Sequence, residues 1–189
     1  MKMTDDKKTG SGKGPIGSVM VVGGGISGMQ SSLDLADSDI LVYLVDNKST
    51  IGGVMAQLDK TFPTNDCAMC IMAPKLVATG RHHNIQLITN TDIKSCEGEP
   101  GNFKVTLTQN PRRVDPDLCT GCGVCAQKCT VEAIDSFQEN TMRRGAIYVD
   151  YPQAVPLVYK IDRDLCIGCG VCEGECKAKA IIYDDEERE

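Results

Sequence analysis

C-T-G-C-G-V-C-A-Q-K-C, from Cys119 to Cys129, recurs as C-I-G-C-G-V-C-E-G-E-C from Cys166 to Cys176. Each run spaces four thiols as C-x2-C-x2-C-x3-C, the pattern that holds cubane iron–sulfur clusters. Three cysteines two residues apart can turn around one corner of a cluster, and a fourth ligand must come from elsewhere. Where two clusters share a chain, the last cysteine of each run serves the other cluster. The spacing therefore predicts one site from Cys119, Cys122, Cys125 and Cys176, and a second from Cys166, Cys169, Cys172 and Cys129. Gly121, Gly123, Gly168 and Gly170 fit a loop that folds tightly with its N–H groups close to sulfur.

Two other uses of dense cysteine fit less well. Zinc sites pair C-x2-C knuckles across a longer gap, and eight thiolates would over-supply two tetrahedral ions. A disulfide framework calls for an even count and a secreted context, whereas this chain has 11 cysteines. The proline that commonly follows the fourth cysteine is replaced by Thr130 and Lys177, which alters the exit from each site and leaves the ligands in place.

Outward from these runs, the 189 residues have room for two small units, and composition changes near Pro111. The net charge of −6 and an aromatic content of 4% point to an aliphatic core and away from a nucleic-acid partner. No stretch approaches the apolar length of a membrane span. The opening M-K-M-T-D-D-K-K-T-G-S-G-K-G lacks the apolar centre of a secretion signal, so a cytoplasmic protein is expected. Residues 1–17 read as a disordered tail and residues 184–189 as an acidic, solvated end. The repeat period from Cys119 to Cys166 is 47 residues, which places an insertion over roughly 137–160 between the two runs.

Upstream, V-M-V-V-G-G-G-I-S-G-M-Q carries G-x-G-x-x-G at Gly23, Gly25 and Gly28. The pattern predicts strands at 18–23 and 40–45 flanking a helix at 26–36, with further strands at 85–89 and 103–108. In such a β-α-β unit the first glycine allows a tight turn, the second admits a pyrophosphate, and the third lets the helix pack on the sheet. Asp46 follows 18 residues after Gly28, where a carboxylate can accept hydrogen bonds from a ribose diol and repel a 2′-phosphate. Ile51-Gly52-Gly53 resembles the second glycine pair of flavoprotein disulfide reductases, which favours FAD over NAD. The expected cofactor-binding set is Gly23, Gly25, Gly28, Asp46, Gly52 and Gly53.

The expected fold is an α/β Rossmann-like FAD-binding half-domain over residues 18–111, followed by an α+β two-cluster bacterial-type ferredoxin domain over 112–183. Cys67 and Cys70 form a separate C-x2-C, read as part of another cluster, a redox pair, or idle thiols. No role is expected for Cys96. His82 and His83 are adjacent, so on a helix or strand they should point apart at the surface. No hydrolytic constellation is present.

With the glycine fingerprint, the segment G-G-V-M-A-Q-L-D-K-T-F-P-T-N-D-C-A-M-C-I-M-A-P-K-L at 52–76 and Y-P-Q-A-V-P at 151–156, the chain closely resembles the A subunit of heterodisulfide reductase from about residue 18 to 183. The resemblance implies a thioredoxin-reductase-like flavin domain interrupted by an inserted ferredoxin domain. It implies an oxidoreductase component of methanogenesis that relays electrons between FAD and two [4Fe-4S] clusters, with heterodisulfide cleavage belonging to the B subunit. It also implies B and C type partner subunits, an electron-input hydrogenase or formate dehydrogenase, and ferredoxin. Members of that family continue beyond the inserted ferredoxin, whereas this sequence ends at Glu189. It reads as a fragment, a split subunit or a relic, with an open sheet edge. The competing reading is a ferredoxin-type electron carrier whose glycine-rich portion is vestigial and flavin-free.

Overall fold

The computed structural model describes residues 17–189, so most of the N-terminal tail expected from the sequence lies outside the described residues. Strand β1 (Gly17–Val22), helix α1 (Ile26–Asp37) and strand β2 (Ile40–Val45) form the opening β-α-β unit, within a residue of the expected bounds. Apolar Met29 and Ala36 recur at helical spacing and are buried on α1, which gives the helix the stripe it lays on the sheet. Ser38 ends it, and Asp39 turns the chain with φ near 60°.

After β2 come a short 3-10 turn (Gly53–Gln57) and a small hairpin of β3 (Lys60–Thr61) with β4 (Asp66–Cys67). Helix α2 (Ala68–Arg81) then leads into strand β5 (Ile85–Ile88). Pro74 lies inside α2; lacking an N–H, it leaves the Cys70 carbonyl without its helical donor. The helix persists because Ala68, Met72, Leu76 and Thr79 keep one face buried. Strands β1, β2 and β5 form a parallel sheet in the order β1-β2-β5, with Val42 opposite both Val19 and Ile85. Strands β1 and β5 are its edges, and Val22 on β1 is 61% exposed.

Strand β6 (Thr91–Glu99) and strand β7 (Asn102–Gln109) make a long antiparallel hairpin with a register shift between Ile93 and Ser95. The sequence pattern predicts only β7. The residues of β6, T-D-I-K-S-C-E-G-E, are mostly polar and exposed, so its pairing is a backbone matter that hydrophobic patterning does not reveal.

The cysteine-rich half is built from short pieces: helix α3 (Val124–Gln127), strands β8 (Ala133–Ile134), β9 (Arg143–Arg144), β10 (Ile147–Tyr148) and β11 (Lys160–Ile161), and helix α4 (Val171–Glu175). Two cores result. One joins Met29, Leu44, Ile51, Met72 and Leu76 to Tyr151 and Ala154. The other gathers Val114, Ile147, Val158, Ile161 and Ala180, with six of the eight motif cysteines packed against it.

The segment between the cysteine runs therefore does more than separate them. Ile51 bridges Val155 with antiparallel backbone pairing, and the Tyr151 hydroxyl donates to the Ile51 carbonyl. Phe137 stacks on Tyr151 with ring centroids 5.6 Å apart. Two further details differ from the sequence reading, and a third selects among the alternatives left open for Cys67 and Cys70. His82 lies just past the end of α2, outside any helix or strand, so its ring stacks on His83 at 4.8 Å instead of pointing away. Cys67 and Cys70 are joined by a disulfide. The acidic end folds back, with the Asp185 carboxylate accepting from the Arg112 and Arg113 backbone N–H groups at 2.9 Å.

Candidate metal centres and glycine crevice

The two cysteine runs fold alike. In each, a glycine in the left-handed region starts a short helix: Gly123 at φ 81° before α3, and Gly170 at φ 74° before α4. Gly121 and Gly168 also have positive φ, a conformation that a side chain would strain. This turn carries the second cysteine onto backbone donors. The Val124 N–H lowers the thiol pKa of Cys122, helped by Thr120. The Val171 N–H does the same for Cys169, helped by Thr130. The third cysteine of each run points inward. Burial pushes Cys125 up to about 11 and raises Cys172 as well.

Two cavities result. One is lined by Cys119, Cys122, Cys125 and, from the other run, Cys176. The other is lined by Cys166, Cys169, Cys172 and, from the first run, Cys129. The first three cysteines of one run thus meet the last cysteine of the other at each cavity. None of the eight is in a disulfide. The Ala180 N–H reaches Cys176 Sγ at 3.4 Å, and the Tyr183 hydroxyl lies 3.7 Å from Cys172 Sγ. A set of four convergent soft sulfurs, with N–H donors beside them and apolar walls, suits an iron–sulfur cube better than a hard cation. Gly145 approaches the second cavity closely: a Cβ there would lie 2.8 Å from the Cβ of Cys129. Sequence reasoning misses this residue, because nothing in its own neighbourhood marks it.

The glycine-rich loop sits at the head of α1. Gly23 has φ 95° and its N–H bonds the Val45 carbonyl at 2.7 Å, fixing the turn off β1. A Cβ on Gly28 would fall 1.8 Å from the Gly23 carbonyl oxygen, so only glycine allows this approach of helix to loop. Gly25 caps α1 without a side-chain partner, and nothing lies within 4 Å of where its Cβ would be. The head of α1 thus has no side-chain cap, and the first-turn N–H groups of a helix lack intrahelical partners and can donate to phosphate oxygens. Gly52 donates its N–H to the Gly24 carbonyl at 2.7 Å, and a Cβ on Gly53 would stand 3.0 Å from the Gly25 Cα. The two glycine segments thus meet backbone to backbone at the head of α1, beside a crevice lined by Gly23 and Asp46.

Asp46 stands at the end of β2 and is 9% exposed. Its Oδ2 accepts from the Gly24 N–H at 2.5 Å and its Oδ1 from the Lys48 N–H at 2.7 Å. Each oxygen keeps a second lone pair, and the carboxylate lines a surface hollow with Gly23, Asn47 and Asp92. The carboxylates of Asp46 and Asp92 make this rim rich in acceptors. Of the six residues expected to bind a cofactor, Gly23 and Asp46 line this hollow, while Gly28 packs helix against loop.

Known proteins share these features. The profile of the 4Fe-4S binding domain matches residues 112–135 and 159–182. The A subunit of the H(2)/formate:CoB-CoM heterodisulfide,ferredoxin reductase of Methanococcus maripaludis is 58% identical over 172 residues, which is 91% of this chain and 26% of that protein. An iron-sulfur A subunit of the CoB--CoM heterodisulfide reductase of Methanopyrus kandleri is 56% identical over 144 residues, 76% of this chain and 22% of that protein. The chain thus spans about a quarter of the length of these curated relatives. The solved thioredoxin reductase of T. acidophilum aligns with 47% of this chain and 29% of its own at 15% identity, with a TM-score of 0.40, too loose a likeness to assign a fold. Iron–sulfur chemistry is common to the matched profile and to the Methanopyrus kandleri relative.

Proposed function

Because the chain belongs, over the span it shares with those relatives, to the family of heterodisulfide reductase A subunits, we propose that it is the electron-relaying part of an iron–sulfur flavoprotein oxidoreductase. In this reading two [4Fe-4S] clusters sit in the cysteine cavities and FAD lies along the glycine crevice. The observation that carries the reading is the exchange of terminal thiols, with Cys176 in the cavity of the first run and Cys129 in that of the second. Bound there, the clusters would supply single-electron relay sites and the flavin a site for one or two electrons.

The chain's own residues do the tuning. The N–H groups of Val124, Val171 and Ala180 place positive dipole ends beside Cys122, Cys169 and Cys176, which stabilises the more negative, reduced state. Burial of Cys125 and Cys172 opposes that state by removing water. At the crevice, the head of α1 and Gly25 would bind the pyrophosphate, and Asp46 would orient the adenosine ribose while excluding a 2′-phosphate.

The relatives' names, which give H(2), formate, ferredoxin and a lettered subunit, support further reductase subunits and ferredoxin as partners; B and C type subunits and a hydrogenase or formate dehydrogenase as electron input are what the family resemblance adds. The family resemblance places heterodisulfide cleavage in the B subunit rather than in this chain. The eight unpaired motif thiols accord with a cytoplasmic setting, and no helix among the described residues is long and apolar enough to cross a membrane.

Anaerobic reconstitution followed by iron, sulfide and flavin determination tests the proposal. Two cubanes give about eight irons per chain, with a flavin spectrum near stoichiometry. Colourless protein, EPR-silent after dithionite, would sink it. Full iron without flavin would leave the carrier reading, in which the crevice holds no cofactor.

A further inference from the structure

Cys67 and Cys70 belong to neither cysteine cavity, yet they are the only cysteines among the described residues that are bonded to each other. Both are exposed. Cys67 is the N-cap of α2, and its Sγ accepts the Cys70 backbone N–H at 3.1 Å. The capping sulfur is therefore aimed at the positive end of a 14-residue helix. Across the small hairpin, Cys67 pairs in register with Lys60, which places an ammonium-bearing residue on the neighbouring strand. A helix N-terminus and a nearby cation both favour the thiolate over the thiol. Cys70, one turn into the helix, caps no helix end. The two sulfurs thus differ in position: one sits at the helix end, where a thiolate is favoured, and the other, bonded to it, does not.

We propose that Cys67 and Cys70 form a reversible two-electron dithiol/disulfide couple that exchanges with external thiols and disulfides, with Cys67 as the attacking sulfur. In the reductive direction of the substrate, the Cys67 thiolate attacks a disulfide R–S–S–R′. A Cys67–S–S–R bond forms and R′S⁻ leaves. The Cys70 thiolate then attacks Cys67 Sγ, RS⁻ leaves, and the Cys67–Cys70 bond closes. Two electrons have passed to the substrate, which takes up two protons as its two thiols. Run backwards with a dithiol as reductant, the same steps restore the protein dithiol. The open position of the pair admits a substrate without any opening of the core, since the buried face of α2 is made by Ala68, Met72, Leu76 and Thr79 while both cysteines are exposed.

The experiment equilibrates the intact, cluster-loaded protein anaerobically in buffers of reduced and oxidised dithiothreitol, alkylates it, and maps the peptide that carries both cysteines by mass spectrometry. That peptide should pass from no label to two labels in a single two-electron step. With oxidised glutathione, Cys70→Ser should accumulate a mixed disulfide at Cys67 about 10-fold faster than Cys67→Ser does at Cys70, as thiolate activation requires. The idea is overturned if the peptide stays unlabelled in excess dithiothreitol, if it is labelled at every poise, or if the two variants react equally. It is also overturned if either variant loses about four irons per chain, which would make the pair ligands of a further cluster. Iron measured in the unsubstituted protein reports separately on the two cysteine cavities, so failure of one reading is not failure of the other.

Discussion

Arg112 Nη2 donates to Thr89 Oγ1 at 2.9 Å, tying the start of the cysteine-rich half to the carboxyl end of the parallel sheet. The same nitrogen donates to the Ser49 carbonyl at 3.0 Å, and Nη1 reaches the Val158 carbonyl at 3.4 Å. Burial lowers the pKa of this guanidinium, and the charge of Asp150 works against that fall. Arg112→Met keeps the stem and strands three acceptors, so unfolding in denaturant should show a loss of about 2–4 kcal/mol. A loss within the noise of the extrapolation would show that water replaces the guanidinium.

The exchanged terminal cysteines predict a pattern that single substitutions cannot mimic. Cys129→Ser and Cys176→Ser should each remove about four irons after reconstitution. Adding Cys166→Ser to Cys129→Ser should cost no more iron, because both serve one cavity. Adding Cys119→Ser instead should empty both cavities. The opposite pattern would mean that each run keeps its own fourth cysteine.

Two glycines three residues apart should separate folding from binding. Gly28→Ala drives a methyl into the Gly23 carbonyl and should destabilise the protein by about 2 kcal/mol or more by overpacking. Gly25→Ala meets nothing within 4 Å, so stability should change by no more than about 0.5 kcal/mol. Flavin retention should nevertheless fall in Gly25→Ala, measured by fluorescence of the released cofactor. Unchanged retention would argue against a pyrophosphate at this loop.

Tyr151 gives a prediction with a sign in pH. Burial raises its pKa above the ordinary 10.0, so the folded state holds its proton more tightly than the unfolded chain does. Its contribution is complete below about pH 10 and fades as pH climbs through the higher folded value. Tyr151→Phe removes the donor to the Ile51 carbonyl and should cost about 1–3 kcal/mol at neutral pH. It should also flatten the alkaline decline in stability, measured by thermal unfolding across the pH range. An equally steep decline would assign it to the other groups raised by burial, Tyr159, Tyr183, Cys125 and Cys172.

Much of the first sheet is legible in the sequence because local pattern and final packing agree. The run of apolar residues in β1, the glycines, and the stripe of Met29 and Ala36 on α1 all act within a few residues of each other. The spacing also anticipates that the last cysteine of each run lines the cavity of the other, while ligation itself belongs to the proposal. Helix α2 is not, because Pro74 and the C-x2-C interrupt its periodicity while buried Met72 and Leu76 hold it from below. Strand β6 is hidden by its polarity. The pairing of Tyr151 with Ile51 joins residues 100 positions apart, and no local signal announces a contact of that range. The expectation for His82 and His83 fails because the helix ends at His82, where the rule of diverging neighbours no longer applies.

Tyr151 and Ala154 reach the core beneath α1 and α2 from a stretch of chain that lies between the two cysteine runs. Cutting the polypeptide at Pro111 would therefore orphan both sides. The upstream piece would lose the lid over Met29 and Ile51, and the downstream piece would carry a bare aromatic pair, Phe137 and Tyr151, into water. Heat or denaturant should consequently dismantle the sheet and the metal-binding half in one cooperative step, and an excised redox module would come away sticky and short-lived.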